Sequence, residues 1–432
     1  YGSPQTYKMS SQVRLRLLPS ARCLYDEPVQ VKVAGLKSRQ LVTMRARLTD
    51  DKGVMFSSSA TYRADGNGKI HLDRDPSLSG SYVGVEHMGL LWSMKPDTLH
   101  RYFHKSRILN PVMVMFSVHE EGDSKMLAEV TNERLLIGDG VSRILVEERN
   151  VCGVLYTPTG GGPFPAVLDL SSTRSEKRAC LLANKGFVVL NLTLFTDKPS
   201  KIKEMHLDYF EEAVNFLKQH SKVGSKGIGV ISRSKGGDIA LSLAAFVPGV
   251  EAVVCINGCN ANTAFPLYYK KRLILPPLSF DFKKFIPTES GAVIGMHVLD
   301  NPLAEENKDT LIPIERAKGH FLFVASEDDL NWDSKTYMDQ MVERLKRHGK
   351  DNFESVCYPG AGHLLEPPYG PHCESCPHYL SDKPGMWGGE SRSHAAAEVH
   401  MWKKIQEFFR THLKAGHKAT NHGTFLLKKK SL

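Results

Sequence analysis

The chemistry of this chain can be sought first at one serine. In the stretch GVISRSKGGDIALSLAAF, Gly229 to Phe246, a β-branched run ends at Ser232, and Ser234 is followed by Gly236, Gly237 and a helix-like apolar pattern. A serine hydroxyl is a weak nucleophile until a base takes its proton, and a base of near-neutral pKa selects histidine. His363, in YPGAGH, has that chemistry. A carboxylate behind the imidazole would fix its tautomer, and the run Glu327-Asp328-Asp329 offers Asp329 or Asp328. The helix that begins at Lys235 directs its first backbone N–H groups and the positive end of its dipole at an oxyanion forming beside Ser234. Read singly, Ser234 is also a plausible helix N-cap and His363 a structural histidine. Their order along the chain is what joins them.

Three strand-like runs must carry these residues. GIGVIS leads into Ser234, GHFLFVAS into Asp328 and Asp329, and ESVCYPG into His363. Further runs, FPAVLDL, GFVVLNLTLF and VEAVVCING, alternate with helical segments such as IKEMHLDYFEEAVNFLKQH and SKTYMDQMVERLKRHGK. Strands that are apolar without alternation are covered on both faces, which predicts a mostly parallel sheet flanked by helices, with sites at the carboxyl ends of its strands. The order Ser, Asp, His at three strand ends, with a small residue two places before the serine and glycine two places after, is the α/β-hydrolase arrangement. Ser232 stands where that pattern usually has Gly. From Val13 to Val146 the runs are shorter and alternate, with turn-rich breaks such as ADGNGK, which predicts a β-sandwich of about 130 residues. The expected division is residues 12–148 for the sandwich, 149–415 for the α/β-hydrolase part and 416–432 for a basic tail. Between Asn257 and Ile314 the alternation fails, and an insertion over the sheet is expected there.

Composition narrows the alternatives. The chain has 432 residues, 41% hydrophobic and 24% charged, with a formal charge of +9. Four cations without an acid lie in residues 1–25 and six in residues 408–432; removing these ten from +9 leaves −1. The basicity therefore sits at the ends, and no nucleic-acid partner is expected. The longest apolar run, GFVVLNLTLF, is interrupted by Asn191 and Thr193 and falls short of the roughly 18 residues of a membrane span. The opening YGSPQTYKMSSQ lacks the apolar core of a secretory leader, so the eight cysteines are expected as free thiols. His372, Cys373, Cys376 and His378 in PHCESCPH look like half of a zinc site, but no second half follows; they read as loop residues, and no metal is expected.

The blocks SKGGDIALSLAAF, DDLNW, YPGAGHLLEPPY and WGGESRSHAAAEVHMW, with DEPVQVKVAGL and YVGVEHMGLLWSMKP nearer the start, resemble the type I acyl-CoA thioesterase and bile acid-CoA:amino acid N-acyltransferase family over nearly all of residues 12–412. The resemblance implies an immunoglobulin-like β-sandwich followed by an α/β-hydrolase fold. It implies Ser234 as nucleophile, Asp329 as acid and His363 as base, with oxyanion donors from the backbones of Lys235 and of the loop at Ser171 and Ser172. Serine at the nucleophile resembles the thioesterase branch, where the conjugating branch has cysteine. That points to hydrolysis of fatty acyl-CoA to fatty acid and CoA through an acyl-serine, without a cofactor, CoA being part of the substrate. Two other readings are transfer of the acyl group to an amino acid, and acyl-CoA binding with weakened catalysis. The second of these follows from a departure: the loop LDLSSTRSEKRACLL has no glycine, where the family has a glycine-rich segment after the first strand of the sheet. A monomer in the cytosol is expected, with the mitochondrial matrix as the alternative; the terminal KSL is not the peroxisomal SKL.

Overall fold

The computed structural model describes residues 12–122, 125–172, 175–195, 197–378 and 381–414, so the expected basic tail at 416–432 lies outside the described residues. The amino-terminal part is a β-sandwich. One layer is built on the antiparallel strands Leu41–Thr49, Met55–Arg63, Val112–Glu120 and Met126–Leu135, and the other on Arg14–Leu18, Gln30–Ala34 and Ile70–His71. Alternation sets what faces inward: Val42, Met44, Ala46 and Leu48 from one layer, Leu15, Leu17, Val31 and Val33 from the other, are all buried.

The carboxy-terminal part is an eight-stranded sheet. Its strands in chain order are Ser142–Glu148, Val151–Thr157, Phe164–Ser171, Val188–Thr193, Val223–Arg233, Val250–Ile256, His320–Ser326 and Phe353–Tyr358. In space they run first, second, fourth, third, fifth, sixth, seventh, eighth, with the last six parallel and the first two an antiparallel edge hairpin. This is the α/β-hydrolase order, and it places the ends of the fifth, seventh and eighth strands on one rim. Both faces of the strands are apolar. Val167, Val189, Ile231 and Val254 pack with helices Lys177–Ala183 and Ser391–His412 on one side. Ala166, Leu168, Val230 and Val253 pack with helices Leu207–Gln219, Lys235–Phe246 and Ser334–Arg347 on the other.

The edge hairpin corrects the expected boundary at 148/149. Ser142–Glu148 pairs with Val151–Thr157 through a turn in which Arg149 has φ 56, so the sheet already begins at Ser142. Phe164–Ser171 is accordingly the third strand of the sheet rather than the first. An alternating run shows that a segment is a strand, but not which sheet it joins. The first face of the sheet also shares one buried cluster with the sandwich, running from Leu15 and Val31 through Trp402 and Phe409.

Candidate active site

Strand Val223–Arg233 turns into helix Lys235–Phe246 at Ser234, whose φ of 61 and ψ of −129 lie outside the regions a non-glycine residue normally occupies. Such a conformation costs on the order of 1–3 kcal/mol and persists only where the surroundings enforce it. Here small neighbours allow the sharp turn. A Cβ on Gly236 would come 1.8 Å from Ser232 Oγ, and one on Gly237 would come 3.1 Å from Gly258 Cα. Ser232 is accommodated because its hydroxyl donates to Leu170 O at 2.8 Å. The turn is also anchored from the helix side: buried Lys235 donates to Asp238 Oδ1 at 2.9 Å and Asn262 Oδ1 at 3.1 Å. Asp238 in turn accepts from Thr263 at the start of the insertion.

Asp329 follows strand His320–Ser326 in a loop that enters helix Ser334–Arg347, capped by Asp333. Its carboxylate accepts four hydrogen bonds: from His363 Nδ1 at 2.7 Å, Ser334 Oγ at 2.8 Å, Asn331 N at 2.9 Å and Trp332 N at 3.2 Å. Asp328 faces elsewhere and accepts from Gly389 N at 2.8 Å. His363 is only 1% exposed. Its ring stacks on Trp387, with centroids 5.6 Å apart, and meets Trp332 edge-on. Its main chain is fixed by Trp387 O, which accepts from the His363 N–H, and by Asn257 Nδ2, which donates to the His363 carbonyl.

The structure thus joins Asp329 to His363 and sets Ser234 on its turn. The Ser234 hydroxyl makes no hydrogen bond among the described residues. It lines a cavity of about 20 Å³ with Phe280, Phe282 and Phe285 of the insertion and with Asn331, Trp332 and His378. Instead of Ser234, the group within hydrogen-bonding distance of His363 Nε2 is Asn331 Nδ2, at 3.2 Å.

The expected oxyanion loop leaves strand Phe164–Ser171 beside the elbow, Leu170 lying opposite Ser232. Ser171 and Ser172 line a polar cavity of about 40 Å³ with Tyr102, Lys177, Arg233 and Glu366; Thr173 and Arg174 lie outside the described residues. Side chains hold both ends of the loop. Arg178 donates to Asp169 Oδ1 at 2.7 Å and Leu170 O at 3.0 Å, and Asn191 donates to Asp169 Oδ2 and Ser175 O. Glu366, three residues after His363, accepts from Lys177 Nζ at 2.7 Å and from the Tyr102 hydroxyl, and Arg233 Nη1 lies 3.6 Å away. Burial alone would raise the Glu366 carboxyl, but the charges of Lys177 and Arg233 outweigh it and hold it at about 2.

Sequence reasoning missed three residues at this site. Asn331 and Trp387 lie in irregular segments with no periodic signal. His378 was set aside with its neighbours as an incidental loop residue, yet its Nε2 lies 3.1 Å from Asn331 Oδ1 and its ring stacks on Trp387. Cys376, from the same stretch, accepts from Trp387 Nε1 at 3.0 Å. Among the described residues no group of three or more His, Cys, Asp or Glu side chains is arranged to hold a metal ion, and no helix is long and apolar enough to cross a membrane.

Comparison with known proteins agrees with this architecture. Residues 26–148 match the acyl-CoA thioester hydrolase/BAAT N-terminal region, and residues 205–415 match the BAAT/acyl-CoA thioester hydrolase C-terminal region. Among curated proteins, the chain is 40% identical to human acyl-coenzyme A thioesterase 2, mitochondrial, over 97% of this chain and 90% of that protein. It is 41% identical to human acyl-coenzyme A thioesterase 1, over 94% of this chain and 98% of that one. To mouse acyl-coenzyme A thioesterase 5 it is 41% identical, over 92% and 96%. Two family regions, at residues 26–148 and 205–415, and these identities over nearly the full length, show that the chain belongs to the acyl-CoA thioester hydrolase/BAAT family.

Proposed function

We propose that the chain is a serine thioesterase that hydrolyses fatty acyl-CoA. The observation that carries this reading is the Asp329–His363 hydrogen bond on the same sheet rim as a serine held in an elbow conformation. In the proposed sequence, His363 Nε2 takes the Ser234 proton as Oγ attacks the thioester carbonyl, and Asp329 stabilises the imidazolium. The backbone N–H of Lys235 at the helix start, with one from Ser171 or Ser172, receives the oxyanion. The tetrahedral intermediate collapses: its carbon–sulfur bond breaks, the proton held on His363 Nε2 passes to the leaving CoA sulfur, and an acyl-serine and a neutral imidazole remain. His363 then activates a water, whose attack releases the fatty acid and restores Ser234. An acyl-serine is an oxygen ester, slower toward amines than a thioester, which favours water as acceptor over glycine or taurine.

The test is hydrolysis of acyl-CoA esters of graded chain length by purified protein, followed by release of free CoA thiol, with and without a large excess of glycine or taurine. Free fatty acid as almost the sole acyl product supports the reading. Mainly N-acyl glycine or N-acyl taurine means that the chain is a transferase. A second reading, acyl-CoA binding with weak turnover, draws on the glycine-free loop between Leu170 and Arg178; tight binding of acyl-CoA without thiol release would select it.

A further inference from the structure

Three hydrogen bonds run in series through the base. His363 Nδ1 lies 2.7 Å from Asp329 Oδ2, His363 Nε2 lies 3.2 Å from Asn331 Nδ2, and Asn331 Oδ1 lies 3.1 Å from His378 Nε2. An ionised carboxylate only accepts, so the proton of a neutral His363 is on Nδ1 and its Nε2 accepts from the Asn331 amide; the amide oxygen accepts in turn from His378 Nε2–H. Trp387 fixes both imidazoles, its plane within 18° of one and 13° of the other. Burial, with His363 beside it, pushes His378 down to about 4, so near neutral pH it enters this series uncharged.

An imidazole Nε2 has one in-plane lone pair. Here Asn331 holds it, while the Ser234 hydroxyl, in the same cavity, has no hydrogen bond among the described residues. A cavity of about 20 Å³ holds little more than a water, so a thioester reaching Ser234 must displace part of the lining. We propose that Asn331 is a positioning residue that caps the base: its amide occupies His363 Nε2 until an acyl substrate entering the Ser234 cavity displaces it, and His378 sets how firmly the cap holds.

This rests on the reading of Ser234 as nucleophile, so the test uses a reaction that separates the two. A small alkyl fluorophosphonate reacts with an activated serine: Oγ bonds to phosphorus, the P–F bond breaks, fluoride leaves, and the hydroxyl proton passes to His363 Nε2. The labelling rate at Ser234 is followed by mass spectrometry, with thermal melting as the check on folding. Removing the cap in Asn331→Ala should speed labelling about three- to tenfold, the worth of one ordinary hydrogen bond. His378→Phe, which keeps a ring against Trp387 but cannot donate, should speed it less. Asn331→Asp should slow it, because a carboxylate at that position keeps a proton on Nε2. Labelling of folded Asn331→Ala and His378→Phe at or below the unmodified rate would overturn the cap and leave the nucleophile standing. No label at Ser234 in any of these proteins would overturn the nucleophile reading itself.

Discussion

On one side of Ser234 the imidazole of His363 is held by a carboxylate, an amide and two indole rings. On the other, the loop from Leu170 to Arg178 is held by ions and hydroxyls: Arg178 on Asp169, Ser232 on Leu170, Lys177 on Glu366. The first flank fixes a side chain that must trade protons, and every contact bears on the orientation of one ring. The second fixes a stretch of backbone, and its contacts bear on where amides point. A base tolerates little change in its partners, because a lost carboxylate changes which nitrogen carries the proton. An oxyanion loop can be rebuilt with different side chains provided its backbone ends up in the same place.

Four measurements sharpen or break this contrast. The largest effect should come from the base flank: Asp329→Ala should lower the turnover of thioester hydrolysis by about 10³-fold or more, while Asp328→Ala stays close to the unmodified protein. Equal losses in the two would show that Asp329 is not the partner that matters. On the loop flank, Glu366→Gln leaves Lys177 buried without its counter-charge and should cost about 3–5 kcal/mol of stability, seen as a lower melting temperature. An unchanged melt would mean that water enters the cluster and screens it. Grafting a glycine-rich segment in place of Ser171–Glu176 should raise turnover by up to about 10²-fold with little change in KM if a donor is missing there. No gain from a folded graft would show that the present loop already supplies its amide.

The smallest effect is a pH dependence. Glu366 is held at about 2 in the fold against an ordinary 4.5, so its ionisation favours the folded state. That contribution is complete above pH 4.5 and is lost as the pH falls from 4.5 through 2. The gap in melting temperature between the unmodified protein and Glu366→Gln should therefore narrow across that window. A gap that stays constant would assign the stability of the cluster to packing instead.

The contrast also explains what the sequence could show. The strand ends that carry Ser234, the pair Asp328 and Asp329, and His363 were legible because each follows a clear apolar run, and strand ends in a parallel sheet share a rim; between the two aspartates it was the resemblance that chose Asp329. The six parallel strands were legible for the same reason, whereas the edge strand Ser142–Glu148, largely exposed, was not picked out as a strand and fell within the bounds given to the sandwich. Helix Lys177–Ala183 was overlooked, being seven residues long and directly after the loop. Asn331 and His378 could not be paired in advance: they lie in two loops, 47 residues apart, and their direct hydrogen bond forms where the His378 ring stacks on Trp387. Glu366 sits before two prolines, a context that suggests a turn and gives no hint of a buried ion.

Tyr102 belongs to the part of the chain that precedes the eight-stranded sheet, yet its hydroxyl bonds the carboxylate three residues beyond the base. Trp402, on the last helix, reaches back to Asp26 at 2.8 Å, and Lys185 ion-pairs with the same carboxylate at 3.2 Å. The hydrolytic half is therefore not a detachable cassette. A fragment starting at Ser142 would lose the tyrosine that supports Glu366 and strip the cover from one face of the sheet, so a shortened transcript or a nick with loss of the sandwich should yield insoluble chain rather than a smaller enzyme. Intact protein should unfold in a single calorimetric transition, the two halves surviving or failing together.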